Sequence, residues 1–213
     1  MGFKPIYNMN GVRSPVMKEF DIADATAISM YELVRVTDGK VVAGGTDYTT
    51  PYAGVTMESK AANDGKTRII VACSPFQVFE VDPVATTVSA SASATVWTDT
   101  VKLLNTTSDI ANGGYLVIKE KAAAATGTFQ VGDKISITDS ATNTLTGTFA
   151  GNTTVGDKGL LFPPIGNLGV TASATNALTL VWAATSGTAL QCVGHDFKRN
   201  KIHVMIKLHE FSN

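Results

Sequence analysis

Apolar and polar residues alternate in short runs through most of the chain, and Gly, Pro or Asp-Gly breaks separate the runs. A period of two is the signature of strands with one buried face. The clearest run is near the C-terminus, "KIHVMIKLHEF". There Ile202, Val204, Ile206 and Leu208 fall on one face, and His203, Met205, Lys207 and His209 on the other. With "ALQCVGHDF" before it and the polar "KRN" between, the pattern predicts a hairpin. "ELVRV" and "KVVAG" flank Asp38-Gly39, a second hairpin signal, because glycine supplies the positive φ of a tight turn. "YAGVTMES", a turn centred on Asp64-Gly65, "TRIIVAC", a break at Ser74-Pro75 and "FQVFEV" continue the series as far as Asp82-Pro83. A short stretch after Lys18 is read as one helical turn.

After Pro83 the chain becomes rich in Ser, Thr and Ala. "VSASASATVW", "GGYLVIKEK", "TFQV", "KISITD", "LTGTFAG" and "TNALTLVWAATSG" read as further strands. "DKGLLFPPIGNLGV" reads as mostly loop, since Pro163-Pro164 bars a central strand. Short strands at close spacing predict an all-β antiparallel sandwich or barrel, jelly-roll-like. The charge-bearing tail resembles the first part of the chain more than the middle does. The expected organisation is an N-terminal arm, 1–17, a β domain of 18–83 plus 189–213, and an inserted Thr/Ala-rich β domain, 84–188.

The arm is broken by Pro5, Gly11 and Pro15, yet it carries Phe3, Ile6, Tyr7, Met9, Val12, Val16 and Met17. These seven are the candidate interface residues. They pack either on a neighbouring subunit or larger assembly, or back on the arm's own domain.

Composition narrows the function. Charged residues are 16% of the chain, well below the usual quarter, and the formal net charge is -1. No global field draws nucleic acid or anionic lipid, so neither is an expected partner. The start of the chain lacks the apolar core and small-residue cleavage site of an export signal. No apolar run approaches the ~20 residues of a membrane-spanning helix, and a soluble protein is expected. Cys73 and Cys192 are too few for a disulfide framework. They read as buried reduced thiols, a single bridge being the other arrangement.

Chemistry-bearing patterns are scarce. His203 and His209 share a strand face about 20 Å apart, too far for one metal. His195 across the hairpin from His203, with Asp196 or Glu210, is the remaining metal candidate, against a plain polar strand face. No serine sits in a Gly-x-Ser-x-Gly elbow, and no glycine-rich loop has a phosphate-binding form. Glu80 and Asp82 share a face, as solvated strand residues do. "FKRNK", 197–201, is the one basic cluster and reads as a solvated turn. The expectation is a non-enzyme without cofactor or metal.

Residues 18–82 resemble a known family. "ELVRV" (Glu32–Val36), "DGK" (Asp38–Lys40), "VVAGG" (Val41–Gly45), "GVTMES" (Gly54–Ser59), the β-branched strand Thr67–Cys73 and the strand ending "FEV" follow its order. The stretch is similar to the small phage capsid auxiliary proteins, known as decoration, cement or head-stabilising proteins. The resemblance implies a β-rich homotrimer on the outer surface of an assembled capsid, made in the host bacterial cytoplasm and partnered by the major capsid protein. The alternative is a head-fibre or tail-associated virion protein that binds a receptor or glycan through 84–188, with Trp97, Tyr115 and Trp182 as candidate contacts.

Overall fold

The computed structural model describes residues 2–11, 14–44, 51–90, 94–99, 113–123, 127–141, 144–172, 178–182 and 188–207. Among them every regular element is a strand: β1 (Lys4–Asn8), β2 (Met17–Asp21), β3 (Leu33–Thr37), β4 (Lys40–Ala43), β5 (Gly54–Thr56), β6 (Arg68–Ala72), β7 (Gln77–Val81), β8 (Val84–Thr87), β9 (Val96–Thr98), β10 (Tyr115–Glu120), β11 (Lys134–Ala141), β12 (Thr144–Gly147), β13 (Lys158–Phe162), β14 (Gly166–Ala172), β15 (Leu178–Trp182), β16 (Leu190–Asp196) and β17 (Lys201–Ile206). The fold is all-β, as the alternation predicts. The helical turn expected after Lys18 is absent; β2 occupies its start.

The chain divides into two compact units. The first holds residues 1–82, 167–180 and 185–213; the second holds 83–166 with 181–184. The expected arm is not a separate body, because β1 pairs antiparallel with β7. Nor does the middle segment stay together to residue 188. β14 and β15 continue a first-unit sheet of order β1-β7-β17-β16-β14-β15. Composition alone misplaces that boundary, because strand pairing rather than Thr/Ala content decides where a segment belongs. "DKGLLFPPIGNLGV" is also richer in strand than expected: Pro163-Pro164 separates β13 from β14 and interrupts neither. "TFQV", in contrast, is loop, with the amides of Thr128 and Phe129 both donating to the Ala150 carbonyl at 2.6 and 3.0 Å.

The second sheet of the first unit has the order β2-β6-β5-β3-β4. It curls until its ends touch, through a parallel bridge between Ile22 and Val41. Ile22, Ile28, Val34, Val41, Ile69 and Val71 fill the curl. The β3–β4 turn has φ of 50° at Asp38 and 76° at Gly39, the left-handed pair that the Asp-Gly signal predicts. The tail hairpin forms too: Ile202, Val204 and Ile206 are buried, while His203 and Met205 are only partly so.

The second unit is one sheet, β8-β13-β10-β11-β12-β9, wrapped around Trp97, Leu116, Ile118, Phe129, Ile137 and Leu145. Its end strands meet. The Ser89 amide donates to the Thr98 carbonyl at 2.8 Å, and the buried Asp99 carboxylate accepts from the Thr86 hydroxyl and the Thr87 amide at 2.8 and 3.0 Å. The Trp97 indole donates to the same Thr86 hydroxyl oxygen at 3.1 Å. Closing the sheet in this way satisfies the backbone groups that an open edge would leave free.

Candidate functional site

Two connections run side by side between the sheets of the first unit. The chain leaves β1 and enters β2; its antiparallel neighbour leaves β6 and enters β7. Residues 8–11 and 14–17 on one side and 72–77 on the other thus form a two-stranded corner. Backbone bonds hold it: the Met9 amide to the Phe76 carbonyl, and the Cys73 amide to the Val16 carbonyl, both 2.9 Å. Buried amides clamp it further. The Gln77 side chain donates to the carbonyls of Tyr7 and Val78, each at 2.9 Å, and the Asn8 side chain donates to the Ser14 carbonyl at 2.8 Å. Ser74-Pro75 places the turn, where proline's fixed φ suits the bend.

What the corner shows to solvent is apolar. Met9 is 60% exposed, Phe76 52%, Met17 51% and Val16 49%, with Tyr7 close behind. Of the seven sequence candidates, then, Tyr7, Met9, Val16 and Met17 lie exposed on or beside these segments. Phe3 does not: it is buried edge-on against Phe79 in the chain's own core. Ile6 is half-buried, and Val12 lies outside the described residues. Phe76 escaped the sequence reading, although an apolar side chain directly after Ser-Pro was its signal.

Of the four strands that the corner joins, β1 and β2 stand at the ends of their sheet orders, and both are guarded. β1 carries Pro5, which has no amide hydrogen, and a bulge between Pro5 and Tyr7. β2 exposes Lys18, Glu19 and Asp21, with Glu19 and Asp21 paired to Arg68. Proline, bulges and charge are the devices that discourage strand addition at an edge. The corner therefore offers side chains, not a free backbone ladder.

The groups with chemistry are placed elsewhere. His195 lies opposite Ile202, and His203 opposite Gly194, so the two histidines do not pair. A bulge lies between Cys192 and Gly194. It turns His195 to the Cys192 side, where Nε2 stands 3.5 Å from Sγ. This is no activated nucleophile: burial pushes the Cys192 thiol up to about 12, so it stays protonated at neutral pH. Cys73, at the corner, is also raised by burial, with Lys18 opposing. Both cysteines are free. Glu80 is buried and ion-paired with Arg199, while Asp82 is exposed and paired with Lys201, so the two carboxylates have separate structural partners. No cluster of three or more metal-ligating side chains occurs among the described residues. Trp97 is fully buried and stacks on Phe149.

Comparison with known protein families, curated proteins and solved structures finds no match.

Proposed function

We propose that the chain is a structural virion protein that binds the outside of an assembled phage capsid. It stabilises the shell by bridging major capsid subunits, acts as a homotrimer, and performs no chemical step. The observation that carries this reading is the corner: five apolar side chains, Tyr7, Met9, Val16, Met17 and Phe76, held outward by buried amides. Single exposed apolar residues are ordinary, but five along two hydrogen-bonded segments supply the material of a contact surface. With guarded edges, docking proceeds by side chains entering pockets on a neighbour rather than by strand addition. Many copies on a symmetric lattice then multiply a modest single contact.

The alternative, a receptor- or glycan-binding fibre protein, needs an exposed aromatic in the second unit. Trp97 is buried, the half-buried Tyr115 ring lies under the Lys134 ammonium at 4.7 Å, and the side chain of Trp182, the third candidate, lies outside the described residues.

The test is co-sedimentation with assembled phage shells, using the wild type and the double variant Met9→Glu/Phe76→Glu. Wild-type protein is expected to pellet with shells. The variant is expected to stay in the supernatant with an unchanged melting temperature, since both side chains already face water. Wild type that ignores shells ends the proposal; a variant that still binds removes the corner from it. Mass measurement in solution tests the trimer.

A further inference from the structure

We propose that His203 is a pH-sensitive latch on the edge strand β1, and that acidification loosens residues 4–8 from β7. The inference does not depend on the capsid reading. The latch lies on one face of the six-stranded first-unit sheet. In register across it lie Lys4 of β1, Glu80 of β7, His203 of β17 and Gly194 of β16, with Tyr7, Val78, Met205 and Gln191 in the next row. The Tyr7 ring leans over β7 and meets the His203 ring edge-on, with centroids 6.2 Å apart at 87°. Beneath the two rings Val78 is fully buried and Glu80 is only 6% exposed.

The imidazole is thus covered from one side by a side chain of an edge strand, which pairs with a neighbour along one side only. The charged and titratable groups around it are Lys4 and Tyr7 from β1, Glu80 from β7, Asp196 from β16, and Arg199 from the β16–β17 turn, which pairs with both Glu80 and Asp196. Burial holds His203 below its ordinary value; Arg199 pushes in the same direction and Asp196 opposes. Opening β1 lifts Tyr7 away and lets water reach the ring, which favours the imidazolium. By linkage, protonation must then favour opening. Each pKa unit regained on opening raises the β1 opening constant about tenfold once the pH lies below both values. Above the ordinary histidine value the ring is neutral in both states and the latch is closed. On its β16 side the ring lies over Gly194, with Nδ1 3.4 Å from where a Cβ on that glycine would stand, so backbone covers one side of the imidazole and Tyr7 the other.

The experiment is amide hydrogen exchange of the full-length protein at pH 7.5 and pH 5, corrected for the intrinsic chemical rate. The Lys4, Ile6, Tyr7 and Asn8 amides are expected to lose protection several-fold more than those of β10 in the second unit. In His203→Gln that excess is expected to vanish. In the wild type, the His203 ring proton followed by NMR must titrate over the same pH range as the protection loss. Equal loss in β1 and β10, an unchanged excess in His203→Gln, or a ring midpoint displaced from the exchange transition would each overturn the latch.

Discussion

A single lysine organises one end of the first unit. The Lys60 side chain is fully buried, and its ammonium donates to the carbonyls of Asp24 and Ala61 at 2.7 and 2.9 Å and meets the Asp64 carboxylate at 2.9 Å. The Gly65 amide donates to Asp24 in turn, at 2.7 Å. Lys60→Met keeps the stem and removes the donors: the Ala61 carbonyl and the Asp64 carboxylate lose the ammonium, and the Asp24 carbonyl keeps only its bond from the Asn63 amide, at 2.7 Å. A loss of about 1–3 kcal/mol is expected in urea denaturation. The carboxylates on these loops add a pH dependence. The hydrogen bond from Lys60 holds Asp64 below the ordinary range, and the one from Lys66 does the same for Glu58. Their folded values are depressed, so their stabilisation is complete above the unfolded values and is lost as pH falls through the folded ones. Unfolding midpoints should therefore fall on acidification below the ordinary carboxylate range, with a shallower slope in Lys66→Ala. Cys192 gives a chemical contrast. With a thiol near 12, about one molecule in ten thousand is thiolate at pH 8, so iodoacetamide should label half-exposed Cys73 first and reach Cys192 only on unfolding.

At the scale of elements, what the sequence announces is what local chemistry decides. The Asp38-Gly39 turn and the alternation in Ile202–Ile206 are legible because turn stereochemistry and a single buried face are properties of the segment itself. The corner is half legible. Its apolar residues stand out in the sequence, but their sorting into buried Phe3 and exposed Met9 depends on β1 finding β7, seventy residues away. The Cys192–His195 contact was illegible, because residues three apart on a regular strand face opposite ways and only the bulge brings them together. Gly54 shows a constraint of the same kind. Its φ is +154°, and a Cβ there would collide with the Ala72 carbonyl oxygen where β5 meets β6. Gly54→Ala is expected to shift that strand pair and lower the melting temperature by several degrees. Ala introduced at Gly39, where φ is also positive but the surroundings are open, carries only the backbone penalty and should lower it less.

The two units differ in how much of each is self-sufficient. The sheet of the second unit closes on itself through Ser89, Thr98 and Asp99, and among the described residues its buried apolar side chains, from Val88 to Phe162, lie within residues 83–166. The first unit is assembled from distant pieces. β7, buried along its whole length, lies between β1 from the start of the chain and β17 from its end. A fragment of residues 83–166 should therefore fold alone, with a cooperative melt by circular dichroism and a dispersed amide spectrum. A fragment of residues 1–82 lacks β17, so it bares one edge of β7 and the apolar face that Ile202 and Val204 cover, and it should aggregate on size exclusion. Adding residues 188–213 back as a separate chain supplies that missing strand, and is expected to restore solubility to the first fragment without affecting the second. A soluble, monomeric 1–82 fragment with native strand content would show instead that the first unit's stability rests on its curled five-stranded sheet, and that the tail merely covers it.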